Sequence, residues 1–246
     1  MNWMHGMRIS AGCLLDLLCP RSCLECGDLL ENDQSCRYLC LGCVNQIDWV
    51  MFPYCNKCGH PFFGNLIDNR NCPNCLALNP TFQHGRAAFL LTGVGQRLIH
   101  ALKYRGVTAV LEDLPRLLER APGYLDFLRD AVLVPVPLHK RRQRERGFNQ
   151  AELIARSLAQ IVEGSIVSDL LVRTRFTPTQ TDLPKERRMK NVKNAFAPKP
   201  EAVMQVDRRF VVIDDVITTG ATLEACCLAL RKAGVGRVDV AALGHG

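Results

Sequence analysis

Apolar runs and helical periods alternate along the last two thirds of the chain. Ala131 to Val136 (AVLVPV), Arg209 to Ile213 and Val238 to Leu243 are short runs rich in branched aliphatics. Such runs suit strands covered on both faces, as in a parallel sheet. Residues 81 to 94 (TFQHGRAAFLLTGV) predict one or two further short strands, and residues 164 to 176 are strand-like with a turn. Between these lie helical segments. Gly95 to Tyr104 puts Leu98, Ala101 and Leu102 on one face, and residues 107 to 120 predict a second helix, broken by Pro122-Gly123. Ala151 to Val162 and Ala221 to Ala233 predict two more, the last stopped by Gly234. Thr177 to Asn194 are polar and basic without a period. Alternation of apolar strands with helices predicts an α/β domain over residues 81–246 with a parallel sheet. Ligands of such sheets sit beyond the carboxyl ends of the strands.

The first eighty residues follow neither period. Their order is set by cysteine. Eight cysteines form four Cys-x-x-Cys pairs: Cys23/Cys26, Cys40/Cys43, Cys55/Cys58 and Cys72/Cys75. A shift of 32 residues superposes the first four on the last four, and Gly27 and Gly59 follow equivalent cysteines, so the unit is duplicated. Two residues between cysteines make a tight turn that aims both sulfurs at one ion. Two such knuckles close a tetrahedral site of four thiolates, which is structural zinc chemistry rather than catalytic. Residues 1–80 are thus predicted to be an N-terminal helix and a double zinc-ribbon module. Sequential sites are the simplest pairing; an interleaved one uses the same residues. His60 or His84 could replace a sulfur, and redox or disulfide cysteines are the plain alternative to zinc. Cys226 and Cys227 fall in a predicted helix and read as small core residues.

The chain has 13 cysteines and 48% hydrophobic residues. The apolar stretch Ile9 to Leu18 is short and interrupted by Asp16, so it does not read as an export signal, and no run approaches the ~18 apolar residues of a membrane span. The expectation is a cytoplasmic protein with reduced thiols and no membrane insertion. Charge is uneven. Residues 139 to 209 hold 16 Lys+Arg against 8 Asp+Glu, a balance of +8, whereas residues 1 to 80 hold 5 against 7. Each zinc with four thiolates adds a formal −2, so the cysteine module is a poor match for a phosphate backbone. It is expected to act as a folding clamp or a protein contact surface.

One motif carries specific chemistry. In VVIDDVITTGATL (211 to 223) an apolar run ends at Asp214 and Asp215, and Thr218, Thr219, Gly220, Ala221 and Thr222 open the next helix. Hydroxyls, a glycine and free amides at a helix start make a phosphate cradle. The two acids would repel phosphate, but they suit vicinal sugar hydroxyls or hydrated Mg²⁺. A ribose 5-phosphate satisfies both halves. There is no Walker A lysine motif.

This stretch resembles the phosphoribosyl pyrophosphate (PRPP) motif of type I phosphoribosyltransferases. The cysteine pairs, IHALKYRG (99 to 106), VPVPLHKRRQRERGFNQAELIA (134 to 155) and TQTDLPKERRMKNVKNAF (179 to 196) extend the resemblance to the ComF family, also called ComFC or GntX-like, over nearly the full length. The resemblance implies a type I phosphoribosyltransferase-like sheet and a link to competence and DNA uptake, or the use of external DNA. It implies that Asp214 and Asp215 hold the ribose hydroxyls and that Thr218 to Thr222 hold the 5-phosphate. It also implies a pyrophosphate loop, placed at Leu138 to Gly147, and a mobile loop, placed at Thr179 to Asn191. Arg141, Arg142, Arg144, Arg146, Lys185, Arg187 and Arg188 are candidate cations for the leaving group, with Arg144, Arg146, Lys185 and Arg187 expected to be catalytic. Mg²⁺ would accompany PRPP. The acceptor is not legible. The rival reading is an accessory protein that binds single-stranded DNA through the +8 segment, with Phe148 and Phe176 stacking on bases; core packing is the plain alternative for both rings. A third is a PRPP-sensing regulator without transferase activity.

Overall fold

The computed structural model describes residues 21–30, 36–63, 70–104, 106–177, 192, 194–202 and 207–246. Among the described residues there are seven strands: β1 (Gly85–Leu90), β2 (Val132–Pro135), β3 (Ile166–Val167), β4 (Leu171–Arg173), β5 (Phe196–Pro198), β6 (Phe210–Ile217) and β7 (Val238–His245). Five of them form one all-parallel sheet in the order β1-β7-β6-β2-β3; β4 and β5 pair antiparallel beside it. Helices α1 (Leu41–Asn45) and α2 (Pro73–Leu78) belong to the cysteine module. Helices α3 (Gly93–Tyr104), α4 (Leu114–Leu118), α5 (Tyr124–Leu128), α6 (Lys140–Arg146), α7 (Gln150–Ile161) and α8 (Ala221–Lys232) connect the strands.

The helix predicted over residues 107 to 120 is two shorter pieces, a 3₁₀ turn (Thr108–Asp113) followed by α4. Pro115 explains the break. It has no N–H to give to the carbonyl four residues back, so it is accommodated only in the first turn of a new helix. The expected basic loop at Leu138 to Gly147 is also corrected: its centre is α6, nearly two turns long. His139 accepts the Arg141 amide at its N-terminus, Gly147 closes it at φ 81°, and Arg141 pairs with Glu145 one turn on. Every residue in KRRQRER is a good helix former, a signal outweighed by the charge in the sequence reading.

Successive residues of the central strands point to opposite faces, and each face has its own core. Leu133, Val211, Ile213, Ala241 and Leu243 pack with α3, α4, α5 and α7. Val134, Val212, Val240 and Ala242 pack with α8 and β5. Cys226 and Cys227 lie fully buried in this second core, and burial pushes both thiols up, so they remain protonated packing residues.

The cysteine module straddles the sheet edge. Residues 48–50 run antiparallel along β1: Leu90 N donates to Asp48 O at 2.8 Å and Val50 N to Ala88 O at 2.9 Å. Cys23 and Cys43 join the first core, while Cys55, Cys58, Cys72 and Cys75 join the second. One half of the duplication therefore lies against each face. The first half is pinned by Asp113, fully buried, which accepts the amides of Arg37 and Tyr38 at 2.6 and 2.8 Å. The second is pinned by Glu224 of α8, which accepts the Thr81 amide at 2.8 Å, and by Lys57, which donates to Phe82 O at 2.8 Å.

Gly85 marks the closest approach of module and sheet. A Cβ there would meet the Lys57 carbonyl, and would lie 2.9 Å from Val240 Cγ2 and 3.0 Å from Cys58 Cα. Gly85→Ala should therefore destabilise the whole chain by about 1–3 kcal/mol. Denaturant unfolding measures this, and an unchanged midpoint would mean that the module is not clamped to the sheet.

Candidate functional site

Two kinds of site are built on this frame. The first is the pair of cysteine clusters. Cys23, Cys26, Cys40 and Cys43 bring their sulfurs within 4.8 Å of one another, and so do Cys55, Cys58, Cys72 and Cys75. The pairing is thus sequential, not interleaved. A tetrahedron with Zn–S bonds near 2.3 Å has sulfur–sulfur edges of about 3.8 Å; Cys26–Cys40 and Cys58–Cys72 stand at 3.7 and 3.6 Å. Backbone amides point at the sulfurs as a thiolate requires: Cys40 N to Cys23 Sγ at 3.4 Å and Cys72 N to Cys55 Sγ at 3.3 Å. The donor sets fit two structural zinc ions. Histidine takes no part: His60 stacks near His245, ring centroids 5.0 Å apart, and His84 faces Asp239.

The second is a cleft of about 290 Å³ at the carboxyl ends of β2 and β6. From these neighbouring strands the chain leaves in opposite directions, β2 toward β3 through α7 and β6 toward β7 through α8. This is the switch point at which a parallel sheet opens a crevice. Pairing of β6 with β2 ends at Ile213, whereas pairing with β7 continues to Ile217. Asp214 and Asp215 therefore lie within the strand, not beyond it, where one neighbour has already turned away.

Asp214, Asp215, Thr218, Gly220, Ala221 and Thr222 all line the cleft. Thr219 does not; its hydroxyl accepts the Ala221 amide at 3.4 Å and so shapes the turn. Gly220 takes φ 76° to start α8, a conformation that disfavours a Cβ. Behind it stand Leu78 of α2 and Phe82, 3.3 and 3.9 Å from where a Cβ would lie. Of the candidate cations, Arg142 and Arg146 reach the cleft; Arg144 sits with Lys140 and Gln143 on the outer side of α6. Lys185, Arg187 and Arg188 lie outside the described residues.

The structure adds residues to which the sequence reading gave no role. Helix α3 contributes Gln96, His100, Lys103 and Tyr104 to the cleft. Lys103 Nζ pairs with Asp215 Oδ1 at 3.0 Å, with both groups largely buried. Asp214 accepts the Asp215 amide at 2.9 Å. Burial, and then the neighbouring Asp215 carboxylate, push the Asp214 carboxyl up to about 7 against the pull of Lys103 and Arg173. Asn149 caps α7, accepting the Ala151 amide at 3.2 Å and donating to Val136 O at 3.0 Å, and Arg173 enters from β4. An arginine inside the short apolar run LLVR was the legible sign of a special position.

Fold and site together define a zinc-ribbon α/β protein with a cleft at its switch point where two carboxylates meet four cationic side chains. The family model described as "Double zinc ribbon domain" matches residues 14–76. Competence protein F of Haemophilus influenzae is 33% identical over 212 residues, covering 82% of this chain and 88% of that protein. DNA utilization protein YhgH of Escherichia coli K12 is 33% identical over 193 residues, covering 76% and 81%. Competence protein ComFC of Bacillus subtilis is 24% identical over 242 residues, covering 86% and 89%. The chain belongs to the ComF family. Among the described residues no helix is long and apolar enough to cross a membrane.

Elemental analysis should give two zinc ions per chain. A competing chelator should strip the first cluster sooner, because Cys26 is exposed whereas all four sulfurs of the second are buried; equal rates would contradict the burial difference. Asp214 also sets a pH dependence. Its folded carboxyl titrates above the unfolded one, so between about pH 4 and 7 the folded state holds the extra proton and stability falls as pH rises. Asp214→Asn should therefore stabilise the protein by up to a few kcal/mol above pH 7, and the gain should vanish toward pH 4. Thermal unfolding across this range tests the sign.

Proposed function

We propose that the cleft binds PRPP and that the protein is a phosphoribosyltransferase acting in competence, in the uptake or use of external DNA. One observation carries this reading: two adjacent carboxylates stand beside the N-terminus of a twelve-residue helix, at the switch point of a parallel sheet. Asp214 and Asp215 accept the ribose hydroxyls, while the turn from Thr218 to Thr222 donates amides and hydroxyls to the 5-phosphate. Transfer breaks the C1–O bond to diphosphate and forms a bond from C1 to the acceptor. Negative charge grows on the leaving group, which Arg142 and Arg146 face from α6. Mg²⁺ would supply charge neutralisation on the diphosphate, and Asp214 and Asp215 are the cleft carboxylates that would hold it. The names of the relatives support the biological setting. A cytoplasmic location fits this substrate and the thiolate zinc sites.

The exposed Phe176 supports a second reading. Its ring lies 4.9 Å from the Arg141 guanidinium and 5.7 Å from that of Arg142, which gives a stacking face for single-stranded DNA. Phe148, at the other end of α6, is half-buried.

Calorimetric titration of the zinc-loaded protein with PRPP and Mg²⁺ tests the first reading. Asp214→Asn combined with Asp215→Asn should abolish binding without loss of folding; undiminished affinity would refute the ribose assignment. Phe176→Ala should weaken single-stranded DNA binding by about 1–3 kcal/mol per stacked base if the second reading holds.

A further inference from the structure

Duplication gives the chain two copies of one knuckle, and only the second is covered. In each, the first cysteine amide donates to a carbonyl further along the turn, Cys23 N to Asp28 O and Cys55 N to His60 O, both at 2.8 Å. Gly27 and Gly59 close the turns at φ 79° and 76°. Ser22–Leu29 and Tyr54–Pro61 are equivalent antiparallel bridges. The backbones of the two knuckles are therefore alike.

The second knuckle is a seat for the start of β1. Gly85 N donates to Asn56 O at 3.2 Å. A Cβ on Gly59 would stand 3.0 Å from Ala87 N and 3.1 Å from Arg86 Cα, and the Arg86 guanidinium lies 4.4 Å from the Tyr54 ring centroid. Cys58, Gly59 and Pro61 are buried beneath this strand. Their counterparts in the first knuckle, Cys26, Gly27 and Leu29, are exposed. Among the described residues nothing lies within 4 Å of a Cβ placed on Gly27. Leu24 and Leu29 stand where the second knuckle has Asn56 and Pro61, and they are 41% and 68% exposed. The charge differs as well. Exposed Asp28 replaces His60, and with zinc bound Cys26 brings thiolate charge to the surface. Glu25 is already taken by Arg97. Leucines left open beside anionic groups mark a contact surface rather than a finished exterior.

We infer that the face made by Leu24, Gly27 and Leu29 is a docking site for an extended basic segment of another protein, seated as β1 is seated on the second knuckle. A small residue of the partner passes over Gly27, where only a small residue fits so close an approach. A partner amide reaches Leu24 O, the counterpart of Asn56 O. Apolar neighbours cover the two leucines, and a Lys or Arg meets Asp28. Main-chain bonds supply affinity in this mode, and the side-chain contacts supply selectivity. A second copy of the chain has no such segment to give from β1, which is already held in its own sheet. The inference is independent of what the cleft binds.

The probe is a display library of random short peptides, selected on the zinc-loaded full chain and counter-selected on the variant Leu24→Lys with Leu29→Lys. Both leucines are exposed, so this variant should keep its zinc and its unfolding temperature. Enriched peptides should carry Lys or Arg beside Gly or Ala. A synthetic copy of the best should bind the parent at least ~10-fold more tightly than the variant, and Asp28→Lys should weaken it as well. Because it covers Cys26, the bound peptide should slow removal of zinc from the first cluster by a chelator and leave the second cluster unchanged. No enrichment, enrichment of acidic peptides, or equal binding to parent and variant would overturn the site. Sedimentation gives a further arm: a parent that dimerises while the variant stays monomeric would make a second copy the occupant and overturn the inference. Should the double variant lose zinc or unfold, Asp28→Lys decides alone, and unchanged peptide affinity there refutes the site.

Discussion

The structure depends on a clamp across the edge of one sheet. Residues 48–50 cover β1 with antiparallel hydrogen bonds, and the two cysteine clusters close on opposite faces behind it. An open strand edge is a hazard, and here it is covered. Thiolates around an ion give a rigid knuckle without a large apolar core. Each knuckle then lends its sulfurs and neighbours to one of the two cores. Duplication suits this geometry, because two faces need two supports. The supports are not equivalent, however. The first half rests on Asp113 and the helices before β2. The second stands directly behind Gly220, so the turn expected to cradle phosphate is backed by Leu78 and Phe82. Zinc in the second cluster is thereby tied to the shape of the cleft.

The cleft concentrates charge at the one place where the sheet opens. Asp214 is pushed toward neutrality by its surroundings, Asp215 is matched by Lys103, and Arg173 is buried with a donor to spare. None of this helps folding. Buried charge is costly, and groups of both signs held short of full pairing are a common mark of a site shaped for a ligand. Elsewhere the buried charge of the sheet is paired, as Asp239 of β7 is with Arg209 at 3.1 Å. A sugar phosphate carrying further phosphate groups offers hydroxyls to the acids and oxygens to the cations.

Much of this was legible along the chain. The parallel α/β class followed from apolar runs separated by helical periods, and every main-sheet strand falls in a segment read as strand, β3 within residues 164 to 176. The cysteine spacing gave both metal clusters, because a tetrahedral ion imposes a short local register on its ligands. The acidic motif and its turn are likewise contiguous in sequence. Failures occurred where one local signal masked another: charge hid the helix propensity of KRRQRER, and the helix expected over residues 107 to 120 overlooked the break at Pro115.

The sequence alone determined the parts that are local: strand runs, knuckles, the acid pair and the phosphate-type turn. Each is fixed by neighbours within a few residues, so spacing suffices to read it. Tertiary structure alone decided which face each cysteine half supports, that Lys103 meets Asp215 across 112 positions, and that Arg142 and Arg146 reach the cleft while Arg144 does not. It also brought Arg173 and Gln150 to the same cleft from separate elements. Such pairings depend on strand order and on the angle at which helices leave the sheet. Those are set by burial summed over the whole chain, and no short window of sequence contains that sum.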